Sequence, residues 1–255
     1  MARMDHLELV HTPTYLNAVW EGTLTDKEIR RMGLPWSKAL AVRSRTAVQG
    51  TMNAAFMALQ DGISGNLAGG THHAMPEWGE GFCVFNDVAV AVKALRNAQW
   101  VRKVLVLDCD VHQGNGTAAC LADEPEVFTC SIHGEKNYPF RKVPSTLDVG
   151  LDDGTDDEEY LMVLEETLDE IQMQWTPDLV FYLAGIDVLE TDRFGRLSLT
   201  LDGLRERDQM VLRTYAEQQI PIVVLLSGGY APSLAETVAA HAVVYQAAHD
   251  VESLY

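Results

Sequence analysis

Short apolar runs alternate along this chain with longer segments that have the periodicity of helices. Several apolar runs are continuous rather than interrupted by polar residues, which is typical of parallel strands covered on both faces. The predicted strands are 7–10 (LELV), 65–70 (GNLAGG), 103–110 (KVLVLDCD), 126–132 (EVFTCSI), 178–185 (DLVFYLAG) and 220–229 (IPIVVLLSGG). We therefore predict an α/β fold, an open and mostly parallel β-sheet with helices on both faces.

Two of the predicted helices have clear signals at their ends. A long helix follows Ser37, a suitable N-cap, and ends at Gly62. Another begins in the acidic run 156–159, whose charges suit the helix dipole. An apolar stripe follows that run at spacings of three, four and three residues, formed by Leu161, Leu164, Leu168 and Ile171. The acidic run is therefore interpreted as a helix start rather than an interaction tail.

Polar segments follow five of the predicted strands. They are GGTHHA, DCDVHQGNG, SIHGE, AGIDVLETD and SGGYAPS. Ligands of open parallel sheets bind just beyond the carboxyl ends of the strands. Each segment alone is weak evidence, because a histidine pair or an aspartate after a strand often has a structural role. Their shared position predicts an active site at this edge of the sheet.

Composition narrows the class of protein. The 255 residues, 47% of them hydrophobic, show no repeat or linker, and we expect a single domain over 1–255. The chain has no apolar run long enough for a signal peptide or membrane span, which predicts a soluble, cytoplasmic protein. Its four cysteines form no CxxC pair and are expected to be reduced. A net charge of -18 opposes nucleic-acid binding and weakly favours cationic substrates. The sequence does not indicate an oligomeric state.

Three side chains form a candidate metal site: Asp110, His112 and Asp187. Two carboxylates and one imidazole leave a coordination position for water, as in catalytic zinc sites, although iron(II) accepts the same ligands. Such a metal can lower the pKa of its bound water to about 7 and polarise a carbonyl. The structural alternative makes Asp187 a helix cap and Asp110 a carboxylate that orders its loop.

His72 and His73 follow a Gly-Gly turn, where the chain can approach a site closely. A neutral imidazole there could accept a proton from water and needs a partner that holds its tautomer. Asp108 and Asn115 are the candidate partners. Tyr230 could donate a hydrogen bond to a developing oxyanion. The alternative for Tyr230 is a core tyrosine after a glycine turn.

The ordered motifs, spread over residues 65–230, resemble the histone deacetylase family of the arginase/deacetylase fold. The resemblance lies in GGTHHA, GEGFCVFNDVAVA, DCDVHQGNGT, SIHGEKNYP, AGIDVLETDRFGRLSLT and LLSGGY. Gln113 and Ser227 stand where other branches usually have histidine and glycine. They make the chain most similar to class IV histone deacetylases and their bacterial relatives.

The resemblance implies roles for the reacting groups. Three side chains would ligate zinc, namely Asp110, His112 and Asp187. Two histidines would act with partners: His73 with Asn115 as general base and acid, and His72 with Asp108 as electrostatic support. Tyr230 would polarise the acyl carbonyl. A structural monovalent cation, K⁺ or Na⁺, would lie among Asp108, Asp110, His112 and Ser131.

The resemblance also implies a substrate tunnel. Its binding residues would be Gly81, Phe82, Gly228 and Gly229, with Phe82 as one wall and Gly81 giving backbone access. The opposing wall would be Tyr138 or Phe140. Family members usually have another strand and helix before the segment that matches 7–16. We therefore expect a deacetylase-like domain without that first strand and helix, so that either the chain is truncated or the sheet is completed differently.

The expected function is zinc-dependent amide hydrolysis, which removes acetyl or longer acyl groups from lysine ε-amino groups in proteins or peptides. Metal-activated water, a histidine base and a polarising tyrosine would carry it out. A deacetylase of acylated polyamines or other small amines is an alternative that the acidic composition suits. A non-catalytic acyl-lysine binding protein is a further alternative. A dinuclear manganese ureohydrolase would need additional bridging carboxylates.

Overall fold

The computed structural model describes all residues from 1 to 255. One sheet contains six strands: β1 (Ile63–Asn66), β2 (Val104–Asp108), β3 (Val127–Gly134), β4 (Leu147–Leu151), β5 (Leu179–Leu183) and β6 (Ile222–Leu225). Their order across the sheet is β1-β6-β5-β2-β3-β4, and every neighbouring pair is parallel. The predicted open parallel sheet is therefore confirmed, with β2 and β5 side by side at its centre.

Helices cover both faces of the sheet. They are α1 (Met4–Leu7), α2 (Pro13–Glu21), α3 (Asp26–Met32), α4 (Lys38–Asp61), α5 (Asp87–Asn97), α6 (Asn115–Leu121), α7 (Asp157–Gln174), α8 (Leu201–Ala216) and α9 (Leu234–Val251), followed by a short 3-10 helix (Glu252–Leu254). Alternate residues of each strand enter opposite cores. Leu105 and Leu107 of β2 pack in the core formed with α7, α8 and α9. Val104 and Val106 pack in the core formed with α4, α5 and α6.

Four strands lie within or close to the predicted runs, but two predictions at the N-terminal side were wrong. Residues 7–10 are not a strand, because α1 ends at Leu7 and a turn follows. A four-residue apolar run does not distinguish a strand from part of a helix. Of residues 65–70 only the first two are strand, because β1 begins two residues earlier and a turn follows it at 67–68. Leu67, which suggested that the strand continued, is 71% exposed.

The sequence analysis missed β4. This strand lies at the edge of the sheet, beside β3, and only its last residue, Leu151, is buried. Asp148 and Gly150 interrupt its apolar pattern. An edge strand is covered incompletely, so it lacks the continuous apolar run that revealed the central strands.

Both helices with predicted ends are confirmed. Ser37 accepts a hydrogen bond from the Leu40 N–H at the start of α4, and Gly62 follows its last residue with a φ of 84°. Asp156 accepts from the Glu159 N–H and caps α7. The acidic run is therefore a helix start, and its charges lie where the helix dipole favours them.

The thiols also match the prediction: all four cysteines are free and buried, at Cys83, Cys109, Cys120 and Cys130. Burial raises the pKa of each of these thiols. Raised pKa values keep the thiols protonated and unreactive. No helix combines the length and the apolar character that crossing a bilayer requires.

A buried histidine ties the N-terminal helices to the loop before α5. His11 Nε2 accepts a hydrogen bond from the Asn86 N–H at 3.0 Å, so its Nδ1–H donates to the Met75 carbonyl, also at 3.0 Å. The imidazole is only 1% exposed and lies against Phe85. The hydrogen bond that Nε2 accepts requires the neutral ring, because a protonated imidazole has no lone pair there.

We expect the stability of the fold to decrease in mild acid through His11. Burial lowers its pKa to about 4, from about 6.5 in an unfolded chain. The contribution is complete above pH 6.5 and is lost as the pH falls towards 4, at up to about 1.4 kcal/mol per pH unit. Urea unfolding between these pH values measures the slope. His11→Gln should reduce it, whereas His249→Gln, at an exposed position, should not. An unchanged slope in His11→Gln would contradict this assignment.

Candidate metal-dependent active site

The candidate metal ligands follow the two central strands. β2 ends at Asp108, so Asp110 and His112 lie in the turn beyond it rather than on a continued strand face. Asp187 lies four residues after β5. Asp110, His112 and Asp187, the metal triad, each offer a ligand atom, and these atoms lie within 4.8 Å of one another. The structure thus brings the predicted ligands together.

Asp110 is held by the loop after β6. Its Oδ2 accepts hydrogen bonds from the Gly228 N–H at 2.7 Å and the Ser227 hydroxyl at 2.8 Å. A side chain at Gly228 would collide with the carboxylate of Asp187. Glycine is therefore required here by close approach to the metal triad, and Ser227, with a φ of 55°, adopts the left-handed region that usually favours glycine. Gly229 packs beside Ile186.

One imidazole lies between the two buried carboxylates. His112 Nδ1 is 3.0 Å from Asp110 Oδ1 and 3.2 Å from Asp187 Oδ2. Asp187 Oδ1 accepts a further hydrogen bond from the Val111 N–H at 2.9 Å. The exposed fractions of Asp110 and Asp187 are 1% and 0%. Buried carboxylates need positive partners, and an oxygen–oxygen–nitrogen donor set suits a divalent metal.

The electrostatics of the metal triad favour a cation. Burial and the charge of Asp110 raise the pKa of Asp187 to about 7, despite His112. Burial alone would raise the pKa of Asp110, but His72 and His112 hold it well below its usual range. Burial alone would lower the pKa of His112, but hydrogen bonds and charges from Asp110 and Asp187 raise it to about 10. Both carboxylates can ionise fully only when positive charge lies beside them.

The adjacent histidines have different partners. His72 Nδ1 lies 2.6 Å from Asp108 Oδ2, and His73 Nδ1 lies 2.7 Å from Asn115 Oδ1. The two rings are 4.0 Å apart. The structure thus forms both pairs that the resemblance implied, and Nε2 of His72 is 3.8 Å from Asp110 Oδ1.

These partners give the two imidazoles different charges. Burial alone would lower the pKa of His72, but the charges of Asp108 and Asp110 outweigh it and raise this pKa to about 9. Burial, followed by the charge of His72, lowers the pKa of His73 well below 6.5. At neutral pH His72 is therefore positively charged and His73 is neutral, so only His73 can accept a proton.

A buried carboxylate that the sequence analysis missed holds the histidine loop. Asp87, the first residue of α5, accepts hydrogen bonds from the Gly70 N–H at 3.0 Å, the Thr71 N–H at 2.7 Å and the Thr71 hydroxyl at 2.6 Å. Asn86 caps the same helix through the Ala89 N–H. Asn-Asp before an apolar helical run is a capping signal that the sequence shows. The hydrogen bond from Thr71 to Asp87, sixteen residues apart, cannot be read from that signal.

A second missed residue supports the ends of both central strands. Arg207 of α8 is fully buried, and its Nη1 donates to the carbonyls of Cys109, at 3.2 Å, and Gly185, at 2.6 Å. Asp208 pairs with the guanidinium at 2.8 Å and accepts from the Tyr182 hydroxyl. Both carbonyls lie just before a member of the metal triad. In the sequence this pair is indistinguishable from the charges of a solvated helix face.

Aromatic side chains surround the metal triad and histidine pair. Phe82 and Phe194 contact Tyr230, with ring centroids 5.9 and 5.0 Å from it. Tyr138 lies edge-to-face against His73, with ring centroids 5.1 Å apart. Phe140 is 87% exposed and contacts Tyr138 at 6.3 Å. Of the two predicted candidates for the second wall, Tyr138 is therefore the one beside the histidines.

Two left-handed residues position Phe82. Gly81 and Phe82 have φ angles of 56° and 64°. A side chain at Gly81 would collide with the ring of His73, and the Phe82 N–H donates to the Met32 carbonyl. Holding a phenylalanine in this region costs about 1–2 kcal/mol, which surrounding contacts offset.

Tyr230 remains a hydrogen-bond donor. Its backbone N–H donates to Asp192 at 2.6 Å, and its side chain lies between Phe82 and Phe194. Burial raises the pKa of Tyr230, and the charge of Asp110 acts in the same direction. Its phenol therefore stays protonated at neutral pH.

The residues of the predicted monovalent site are close together in the fold. Asp108 pairs with Ser131 in the register of β2 and β3. Asp108 Oδ1 also accepts from the Asp110 N–H at 3.1 Å. The Ser131 hydroxyl lies 3.0 Å from His133 Nδ1. Their role in holding K⁺ or Na⁺ stays a prediction.

Residues 1–245 match the Histone deacetylase domain family. An uncharacterised protein of Picosynechococcus sp. is 46% identical over 245 residues, which cover 96% of this chain and 82% of that protein. Histone deacetylase 2 of Arabidopsis thaliana is 33% identical, covering 91% of this chain and 62% of that protein. Acetoin utilization protein AcuC of Staphylococcus xylosus is 28% identical, covering 90% and 66%. This chain thus spans less than two thirds of the length of the last two relatives.

Solved structures share the fold. An HDAC homolog complexed with SAHA has a TM-score of 0.80 at 24% identity, and an HDAC homolog from Aquifex aeolicus has a TM-score of 0.80 at 23% identity. Each match covers 99% of this chain and 75% of the other. The chain therefore belongs to the histone deacetylase family, a family of metal-dependent deacetylases. The sheet is the arginase/deacetylase fold that the sequence predicted.

We expect the metal triad to bind a divalent ion and thereby stabilise the fold. Zinc at 100 times its dissociation constant should add about 2.7 kcal/mol, because the unfolded chain does not assemble the three ligands. Asp187→Asn removes one of the two carboxylate charges and should abolish this stabilisation. Thermal unfolding with and without zinc measures the effect, together with the metal content of the purified protein.

Asp169→Asn is the matched control, because Asp169 is an exposed carboxylate on α7. It should bind zinc as the unchanged chain does. A full equivalent of zinc in Asp187→Asn, bound with unchanged affinity, would rule out the metal triad as the metal site.

Proposed function

We propose that this chain is a zinc-dependent amidohydrolase that removes acetyl or longer acyl groups from the ε-amino group of lysine in proteins or peptides. The observation that carries the proposal is the juxtaposition of the metal triad with one charged and one neutral histidine. Membership of the histone deacetylase family supports the reaction class. Free, buried cysteines suit a reducing compartment such as the cytoplasm.

The donor set of Asp110, His112 and Asp187 fits Zn²⁺, and Fe²⁺ accepts the same ligands. When bound, such an ion lowers the pKa of a water molecule and polarises a carbonyl as a Lewis acid. We propose the predicted K⁺ or Na⁺ site beside it as a structural one, which holds the turn after β2.

We propose that His73 is the general base and then the general acid. With Asn115 at Nδ1, the Nε2 of neutral His73 accepts a proton from the attacking water and later gives it to the leaving amine. His72, held positive by Asp108, favours negative charge that develops nearby. Tyr230 donates its phenolic hydrogen to the acyl oxygen as that oxygen becomes negative.

The aromatic side chains suit an acyl-lysine side chain. Phe82 and Tyr138 are proposed as the walls that contact its methylene groups, since their rings lie beside Tyr230 and His73. Gly81 brings the backbone close to His73. Gly228 and Gly229 are proposed to admit the reacting end of the substrate beside the metal triad.

We propose a class IV-like branch from two residues with defined contacts. Gln113 Nε2 donates to the Val143 carbonyl and to Asp148, and its Oε1 accepts from the Val143 N–H. The side chain thus ties the loop before β4 to the turn after β2. Ser227 binds Asp110 directly. The contacts of Gln113 use both the NH₂ and the oxygen of its amide, and the contact of Ser227 uses its hydroxyl.

Acylated polyamines are the second substrate candidate. The net charge of -18 favours a polycation over a neutral amine. The same side chains would carry out that hydrolysis, so only the amine that is released distinguishes the two. Non-catalytic binding of acyl-lysine is the remaining alternative.

A substrate panel tests the proposed function. We expect the zinc-loaded protein to hydrolyse acetyl-lysine or myristoyl-lysine peptides with a higher kcat/KM than acetylated polyamines, because the aromatic walls match an uncharged methylene chain, whereas charged amines interrupt the chain of a polyamine. Release of free amine measures turnover. Preference for polyamines would favour the alternative substrate, and no turnover of any acyl amine would contradict the proposed enzyme.

Tyr230→Phe tests the polarising phenol. Loss of one donor to a developing oxyanion should reduce kcat by about 10²–10³-fold, while acyl-lysine peptide binding changes little. Tyr245→Phe makes the same change on α9, away from the metal triad, and should leave kcat unchanged. Hydrolysis rates and peptide affinity separate the two effects. Full activity in Tyr230→Phe would remove this residue from the mechanism.

A further inference from the structure

Glu80 lies between the aromatic wall and the histidine pair, in a motif where only Gly81 and Phe82 had an expected role. Its Oε1 accepts hydrogen bonds from the Asn115 amide at 3.0 Å and from the Tyr138 hydroxyl at 2.7 Å. Its Oε2 accepts from the Trp78 indole N–H at 2.8 Å. One partly buried carboxylate thus receives three neutral donors beside the proposed general base.

These contacts determine the direction of every hydrogen bond that leads to His73. An ionised carboxylate only accepts, and the indole N–H only donates. The Asn115 NH₂ group must therefore face Glu80, and its oxygen must face His73. Because an amide oxygen only accepts, the Nδ1 of His73 must carry the proton. The Nε2 is then left with its lone pair.

We propose that Glu80 is a positioning residue that selects the tautomer of His73 through Asn115, leaving the Nε2 free to accept a proton. His72 has a carboxylate, Asp108, as its direct partner. An asparagine has no such fixed polarity, because rotation of its amide by 180° exchanges donor and acceptor. Glu80 fixes the orientation of the Asn115 amide from its other end, so it acts on His73 through Asn115 rather than directly.

The same carboxylate links the tautomer to the proposed wall. Tyr138 donates to the same oxygen that accepts from Asn115, and its ring lies edge-to-face against His73. The wall and the amide therefore share one acceptor. The effect of this arrangement on turnover rests on the proposed function, whereas the tautomer itself is independent of it.

The experiment replaces Glu80 with leucine, which has a similar size but no acceptor. In the zinc-loaded protein, ¹⁵N–¹H correlation spectra of labelled histidine report which ring nitrogen is protonated, and His73→Asn assigns the signal. We expect His73 to be protonated at Nδ1 in the unchanged chain. Glu80→Leu should add a second population protonated at Nε2, because the released amide can turn over.

Turnover of an acyl-lysine peptide is the second readout. Glu80→Leu should reduce kcat by about 10–100-fold with a KM within about threefold, because the amide is misoriented while the aromatic walls remain. Glu77→Leu is the matched control, at an exposed carboxylate three residues earlier. It should change neither the tautomer nor kcat.

A glutamine variant provides a rescue. In Glu80→Gln the single acceptor oxygen can face either Trp78 or the other side, where Asn115 and Tyr138 donate. Adding Trp78→Phe removes that competition, so the double variant should recover the Nδ1-protonated tautomer and part of kcat. If Glu80→Leu does not fold, Glu80→Gln and the double variant test the role of Glu80 instead.

Each outcome has one meaning. A mixed tautomer in Glu80→Leu, with both quantities unchanged in Glu77→Leu, supports the proposal. A tautomer in Glu80→Leu identical to that of the unchanged chain overturns it, whatever happens to kcat. A double variant in which His73 is not protonated at Nδ1 also overturns the proposal, because its glutamine oxygen is free to face Asn115. If the unchanged chain hydrolyses no acyl amine, the proposed function fails, and the tautomer still decides the role of Glu80.

Discussion

Two buried carboxylates at the ends of adjacent strands are the constraint on which this structure depends. Asp110 and Asp187 repel each other where water cannot screen them, and only His112 lies between them. The two carboxylates accept compensating hydrogen bonds from the Val111 N–H, the Ser227 hydroxyl and the Gly228 N–H. A cation bound by the metal triad would complete the compensation, and the sheet places these three side chains close enough to hold one.

The supports of the site are themselves buried and polar. Arg207 binds the carbonyls just before the metal triad, and Asp87 binds the turn that carries the two histidines. Asp87 lies at the start of α5, and Arg207 lies within α8. These two helices cover opposite faces of the sheet. Buried groups of this kind stabilise the fold only when all their hydrogen bonds are made. Helices from both layers therefore hold this edge of the sheet.

Adjacent residues of the same type acquire different chemistry from their partners. His72 and His73 are neighbours in sequence, yet a carboxylate keeps the first charged, while burial beside that charge keeps the second neutral. The ring of Tyr138 lies beside His73. Glu80 accepts hydrogen bonds from the hydroxyl of Tyr138 and from Asn115, so one carboxylate contacts both the proposed wall and the partner of His73.

The sequence by itself determined the parallel α/β fold, the central strands, the ends of α4 and α7, and the segments that meet at one edge. These follow from local signals, since continuous apolar runs predict covered strands and capping residues predict helix ends. It misplaced β1, took residues 7–10 for a strand and missed β4, because short or half-covered runs carry little periodic signal. Only the tertiary structure decided which histidine is charged, which aromatic residue faces it, and why Asp87, Glu80 and Arg207 matter. Those properties depend on burial and on partners distant in the chain, and neither can be read from local pattern.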